Sequence, residues 1–272
     1  MSWLGKFIGG AFGFMMGGPL GAILGASVGH QFDVGIGGVE GDASLNPGDQ
    51  HRVQMAFFTA TFSVMGHVAK ADGRVSPEEI SLANRVMEQM AISGEMRKTA
   101  INLFQQGKSS DFPLDEVLAQ FYKECHRRTD LIRMFLEIQM QEAFADGVLD
   151  GNEERLLLQM CARLKISRFD YERLKIQIQA QHRLYGRGQH HHYQRPEQKS
   201  SLRDAYGVLG LTPAATEAEV KKAYRRLMSQ NHPDKLVAKG LPEEMMKLAK
   251  EKTQKISKAY ETIQKSGGMH RT

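Results

Sequence analysis

The hydrophobic positions of the C-terminal seventy or so residues fall in three helical stripes. Leu202, Ala205, Tyr206 and Leu209 sit at i, i+3, i+4 and i+7, the spacing of one helix face. Gly210 and Pro213 end that element. Thr216 opens Thr-Glu-Ala-Glu, a capping box in which the hydroxyl accepts the Glu219 amide and the carboxylate reaches back. Val220, Ala223, Tyr224 and Leu227 repeat the stripe. Asn231-His232-Pro233 ends it, because a residue before proline avoids the α region. Met246, Ala249, Ile256, Ala259, Tyr260 and Ile263 mark a third helix. The pattern predicts a short helix and an antiparallel hairpin of two longer ones. His232-Pro233-Asp234 lies at the hairpin tip, followed by a long loop over 235–242.

The middle of the chain carries a duplication at a constant offset of 74 residues. Ala69, Ala71, Asp72, Gly73, Val75, Glu79, Val86, Met87, Met90, Ile92 and Ser93 correspond to Ala143, Ala145, Asp146, Gly147, Leu149, Glu153, Met160, Cys161, Leu164, Ile166 and Ser167. Each copy reads as helix, Ala-Asp-Gly loop, helix. Phe58, Phe62 and Met65 lie before the first loop, and Leu131, Met134, Phe135 and Ile138 before the second. Gly73 and Gly147 suit a turn or C-cap. Ser76-Pro77-Glu78-Glu79 and Asp150-Gly151-Asn152-Glu153 suit the caps that follow. Further helices are predicted over 96–104, 114–125 and 169–181. The doubled acids, Asp72/Glu79 and Asp146/Glu153, lack the spacing of a calcium loop. Helix capping accounts for them, so no metal is expected.

No charged residue occurs over 7–29, a run of 23 positions, enough as a helix to cross a bilayer core of ~30 Å. Gly5, Gly9, Gly13, Gly17, Gly21, Gly25 and Gly29 recur every four residues and give one bare helix side. In lipid such a stripe lets two helix backbones approach closely. Trp3 and Lys6 suit the interface at one end and His30 at the other. The run reads as an uncleaved anchor, with Gly9, Gly13, Gly17, Gly21 and Gly25 as a dimerisation face. Residues 34–50 read as a linker. The polar stretch 183–200, with His190-His191-His192, reads as a flexible tether.

Composition narrows the function without naming it. Net charge is +5, partly local to the C-terminal segment, and no basic stripe with groove-reading elements accompanies it, so nucleic acid is not an expected partner. Cys125 and Cys161 both lie on apolar stripes and read as buried thiols. No catalytic arrangement of Ser/His/Asp, Cys/His or paired carboxylates stands out. Neither an enzyme nor a cofactor is expected.

Asp204-Ala205-Tyr206-Gly207-Val208-Leu209-Gly210, a basic second helix, the tripeptide at its end and Ile256-Ser257-Lys258-Ala259-Tyr260-Glu261 follow in the order of a J-domain, which this segment resembles. The resemblance implies a module that stimulates ATP hydrolysis by a DnaK-type chaperone. His232, Pro233 and Asp234 would dock on that partner together with Lys221, Lys222, Arg225 and Arg226. The fourth helix of many J-domains has no counterpart here. The duplicated middle resembles a TerB-like helical domain. Anchor, middle and C-terminal segment together resemble membrane-anchored DnaJ-like cochaperones of Gram-negative bacteria. The expected fold is all-α: an anchor at 1–33, a linker at 34–50, a TerB-like bundle at 51–182, a tether at 183–200 and a J-domain at 201–272. The resemblance places the chain in the bacterial inner membrane, N-terminus periplasmic and body cytoplasmic, with unidentified clients. The rival reading is a membrane scaffold or stress-signalling adaptor acting mainly through the middle domain.

Overall fold

The computed structural model describes residues 18–23, 47–70, 81–144 apart from 82, 85, 89–91 and 93, then 149–185, 197–242 and 245–267. Among them there is no strand. The helices include α1 (Pro47–Val68), α2 (Gly94–Gly107), α3 (Leu114–Cys125), α4 (Thr129–Ala143), α5 (Gly151–Arg163), α6 (Arg168–Tyr185), α7 (Glu197–Val208), α8 (Glu217–Gln230), α9 (Pro233–Ala238) and α10 (Met246–Gly267). A further helical stretch lies within 81–88.

The middle unit is built around α1. Residues 56–66 are buried on every side, which a helix achieves only when neighbours surround it. Among its polar members, the Ser63 hydroxyl donates to the Thr59 carbonyl at 2.8 Å. Helix α2 crosses α1 at backbone contact. A Cβ on Gly66 would lie 2.0 Å from the Phe104 carbonyl oxygen, and one on Gly107 would lie 1.8 Å from that of Ser63. Only glycine permits that approach. Phe57, Phe121 and Phe135 join α1, α3 and α4 in one aromatic run, with ring centroids 6.1 and 4.5 Å apart.

The duplication has a structural counterpart. The Ile92 amide donates to the Met87 carbonyl and the Ile166 amide to the Cys161 carbonyl, both at 2.9 Å. These bonds lie 74 residues apart and close the same helix end twice. The second copy's capping box is formed: Asp150 caps α5 and the Glu153 carboxylate accepts the Asp150 amide at 2.8 Å. Asp72, Gly73, Glu79, Asp146 and Gly147 lie outside the described residues. Among those described, no cluster of acids, histidines and cysteines could hold a metal. Both cysteines are buried free thiols.

Of the glycine stripe, Gly21 is described; Gly9, Gly13, Gly17 and Gly25 are not. Residues 18–23 are helical, with Leu20 and Ile23 against the apolar cluster of the middle unit. The Leu20 amide donates to Gln120 Oε1 at 2.7 Å. No helix among the described residues is long and apolar enough to cross a membrane.

The C-terminal unit has its own core of Ala205, Val208, Leu209, Val220, Ala223, Leu227, Ile256, Ala259 and Ile263. Tyr224 stacks on Tyr260 at 4.2 Å and Ser257 reaches the Met228 sulfur, so α8 and α10 run antiparallel. Helix α6 belongs to both units, because its Ala180 joins this second core. Helices α6 and α7 each extend into the stretch predicted as a tether, leaving 186–196 outside the described residues. Arg183 Nε donates to Asp204 Oδ1 at 2.8 Å, and a Cβ on Gly207 would meet that of Ala180 at 2.6 Å. Asp204 and Gly207 of the Asp204–Gly210 motif thus serve the contact between α6 and α7.

Candidate functional site

The hairpin tip is assembled by local rules. Thr216 caps α8: its hydroxyl accepts the Glu219 amide at 3.3 Å, and the Glu219 carboxylate accepts the Thr216 amide at 2.8 Å. The Thr216 amide and hydroxyl both donate to the Glu219 carboxylate and hold it below its ordinary pKa. The helix ends at Asn231, which is buried and donates its amide N–H and Nδ2 to the Leu227 carbonyl at 3.0 and 2.7 Å. His232 is extended and Pro233 begins α9. Proline suits that position because it needs no amide donor there. His232 Nδ1 lies 4.0 Å from Asp234 Oδ2, and the Asp234 side chain is 84% exposed. Lys235 Nζ donates to Ser229 Oγ at 2.7 Å and ties α9 back to α8.

The segment after the tip departs from the predicted long loop. Residues 233–238 form a helix, and Leu236 is buried in the core of the middle unit. Leu241, Met245 and Ala249 join it there. A six-residue helix has too little period to be read from sequence, and burial against another unit is what stabilises it. Gly240 adopts φ +97°, and a Cβ on it would lie 2.8 Å from Val53 Cγ1. Lys239 pairs with Asp130, and Lys252 with Glu137. Burial pushes the Lys252 ammonium below its ordinary pKa, against the opposing pull of Glu137. The tip is therefore mounted on the middle unit while its histidine and aspartate stay exposed.

The basic helix face divides in two. Lys221, Lys222 and Arg225 are exposed. Arg226 is half-buried and turned toward α4, where Arg133 donates through Nη1 to Gln230 Oε1 at 3.5 Å. Lys239, Lys252 and Arg133 were not among the predicted site residues. One signal was available: α4 buries Glu137, Gln139 and Glu142 among its apolar residues. Charges on a helix that is apolar nearly all round require partners on a neighbouring element.

Comparison with known families bears on this arrangement. Residues 1–43 match the co-chaperone DjlA transmembrane domain, 58–176 match tellurite resistance protein TerB, and 204–267 match the DnaJ domain. The co-chaperone protein DjlA of Coxiella burnetii is 48% identical, over 99% of this chain and 100% of its own length. That of Photobacterium profundum is 45% identical over 97% and 99%, and that of Escherichia coli is 42% identical over 98% and 99%. No solved structure matches the chain.

Proposed function

The chain belongs to the family of DjlA co-chaperones, and we propose that it recruits a cytosolic DnaK-type chaperone to the membrane and stimulates its ATPase. It carries a transmembrane domain, a TerB domain and a J-domain. The observation that supports the reading is the tip itself. Asp234 is a well-exposed carboxylate at a helix start, and the exposed cations Lys221, Lys222 and Arg225 lie along the helix that leads to it. A carboxylate so presented can accept charge-assisted bonds from a partner, while the cations steer an acidic surface toward it. Pro233 fixes the backbone between them, and His232 orients the turn. Nothing here acts on a substrate bond; the chemistry belongs to the partner.

The location of that partner sets the topology: J-domain and TerB domain in the cytoplasm, a short N-terminus in the periplasm, and the anchor in the inner membrane. The glycine stripe, Gly9 to Gly25, would pair two anchors. Units bounded at 51–182 and 201–272 would then work as one mounted pair. The test is direct binding. The full chain in lipid nanodiscs should bind the ATP-bound chaperone, and the Asp234→Asn variant should not. Equal binding by both removes the tip from the interface.

A further inference from the structure

The apolar residues of the J-domain are shared between two cores. Those that hold α8 against α10 form the domain's own core. Those that follow the tip do not: Leu236, Leu241, Met245 and Ala249 are buried in the core of the middle domain. The seam between the two domains has further ties. Lys239 pairs with Asp130 and Lys252 with Glu137, both acids of α4. Gly240, at φ +97°, runs so close to α1 that a Cβ on it would lie 2.8 Å from Val53 Cγ1.

The tip is part of that same segment. Helix α9 contains Pro233 and Asp234, and its first turn closes where the Leu236 amide donates to the His232 carbonyl at 3.0 Å. Leu236 is also the one buried residue of α9. The residue that closes the tip's turn is therefore the residue the middle domain's core holds. Beyond it, the Lys239, Gly240 and Leu241 amides donate to the Lys235, Val237 and Leu236 carbonyls at 3.1, 2.9 and 2.8 Å. Six residues are too few to sustain a helix in water by their own bonds, so the packing beneath them decides whether the turn persists.

We infer that the middle domain positions the tip: Asp130 and Val53, through Lys239, Gly240 and Leu236, hold the turn that presents Asp234 to the chaperone. This role rests on the cochaperone reading and gives the middle domain a part in the stimulation itself. The mount presents the tip and does not mask it, because His232 and Asp234 stay exposed while it is in place.

Hydrogen exchange and single-turnover ATP hydrolysis, both with the full chain in nanodiscs, test the role. Leu236→Asp should release the segment, because an unpaired carboxylate stays in water and out of an apolar core. Exchange at the Lys239, Gly240 and Leu241 amides should rise by about 30-fold or more, with protection in α8 unchanged. Stimulation of a DnaK-type chaperone should fall by about tenfold. Asp130→Lys sets two ammonium groups against each other and should act the same way from the middle domain. Adding Lys239→Asp should restore both readings. The double variant keeps the substitution at position 130, so damage to α4 alone would not be rescued. The positioning role is overturned if Leu236→Asp exchanges no faster than native, if it exchanges faster yet stimulates as well or better, or if the charge swap fails to restore stimulation. A native chain that never stimulates would sink the cochaperone reading, and this role with it.

Discussion

Lys252 of α10 forms an ion pair with Glu137 of α4, and both are withdrawn from solvent, at 15% and 4% side-chain exposure. The pair crosses from J-domain to middle domain, so it helps fix where the tip sits. Removing one partner leaves a buried charge alone. Glu137→Gln should therefore cost roughly 3 kcal/mol in denaturant unfolding. Adding Lys252→Met should restore most of that, since the stranded ammonium is then gone. Equal losses in single and double variants would mean the pair contributes nothing as a pair.

The two halves of the basic face should respond differently to charge reversal. Lys222→Glu alters an exposed cation, so association with the chaperone should slow at low salt, with the difference shrinking as salt rises. Arg226→Glu should instead gain Arg133 as a partner and stabilise the seam. Stopped-flow association and thermal unfolding separate the outcomes. A stability loss in Arg226→Glu would contradict its placement beside Arg133.

Cys125 and Cys161 are buried, and burial raises each thiol to about 12. The fold thus favours the neutral thiol. In the unfolded chain the thiols ionise near their ordinary value, so this contribution is complete below about pH 9 and is lost as pH rises from there toward 12. Native protein should react with iodoacetamide only on unfolding at neutral pH, because the thiolate is the nucleophile. Rapid alkylation of the folded chain would contradict the burial.

Gly17→Leu with Gly21→Leu should leave membrane insertion intact while dissociating a dimer formed through the anchor. Bulky side chains hold the backbones apart, and lipid offers no hydrophobic drive to compensate. Cross-linking in membranes reads the result. A dimer insensitive to both substitutions would exclude the glycine stripe as its interface.

The local features of the sequence were the legible ones. Capping at Thr216 and Asp150, the stripes of α8 and α10, and the 74-residue repeat behind the Ile92 and Ile166 bonds all follow from spacing within one element. What was not legible depends on two units meeting. Leu236 looked like a loop residue because its burial comes from the middle domain. Arg226 looked like its three neighbours because burial against the middle domain, with Arg133 93 positions earlier in the sequence, sets it apart.

The central claim is that the exposed tip carries the cochaperone activity. Single-turnover ATP hydrolysis by a DnaK-type chaperone, with the full chain in nanodiscs, tests it most directly. The native chain should accelerate hydrolysis. Asp234→Asn should lower that acceleration by roughly 30-fold or more, as expected for losing one partner of an interfacial charged hydrogen bond. Because Asp234 is 84% exposed, the variant's unfolding free energy should stay within about 0.5 kcal/mol of native. Full acceleration by a folded Asp234→Asn chain would contradict the account.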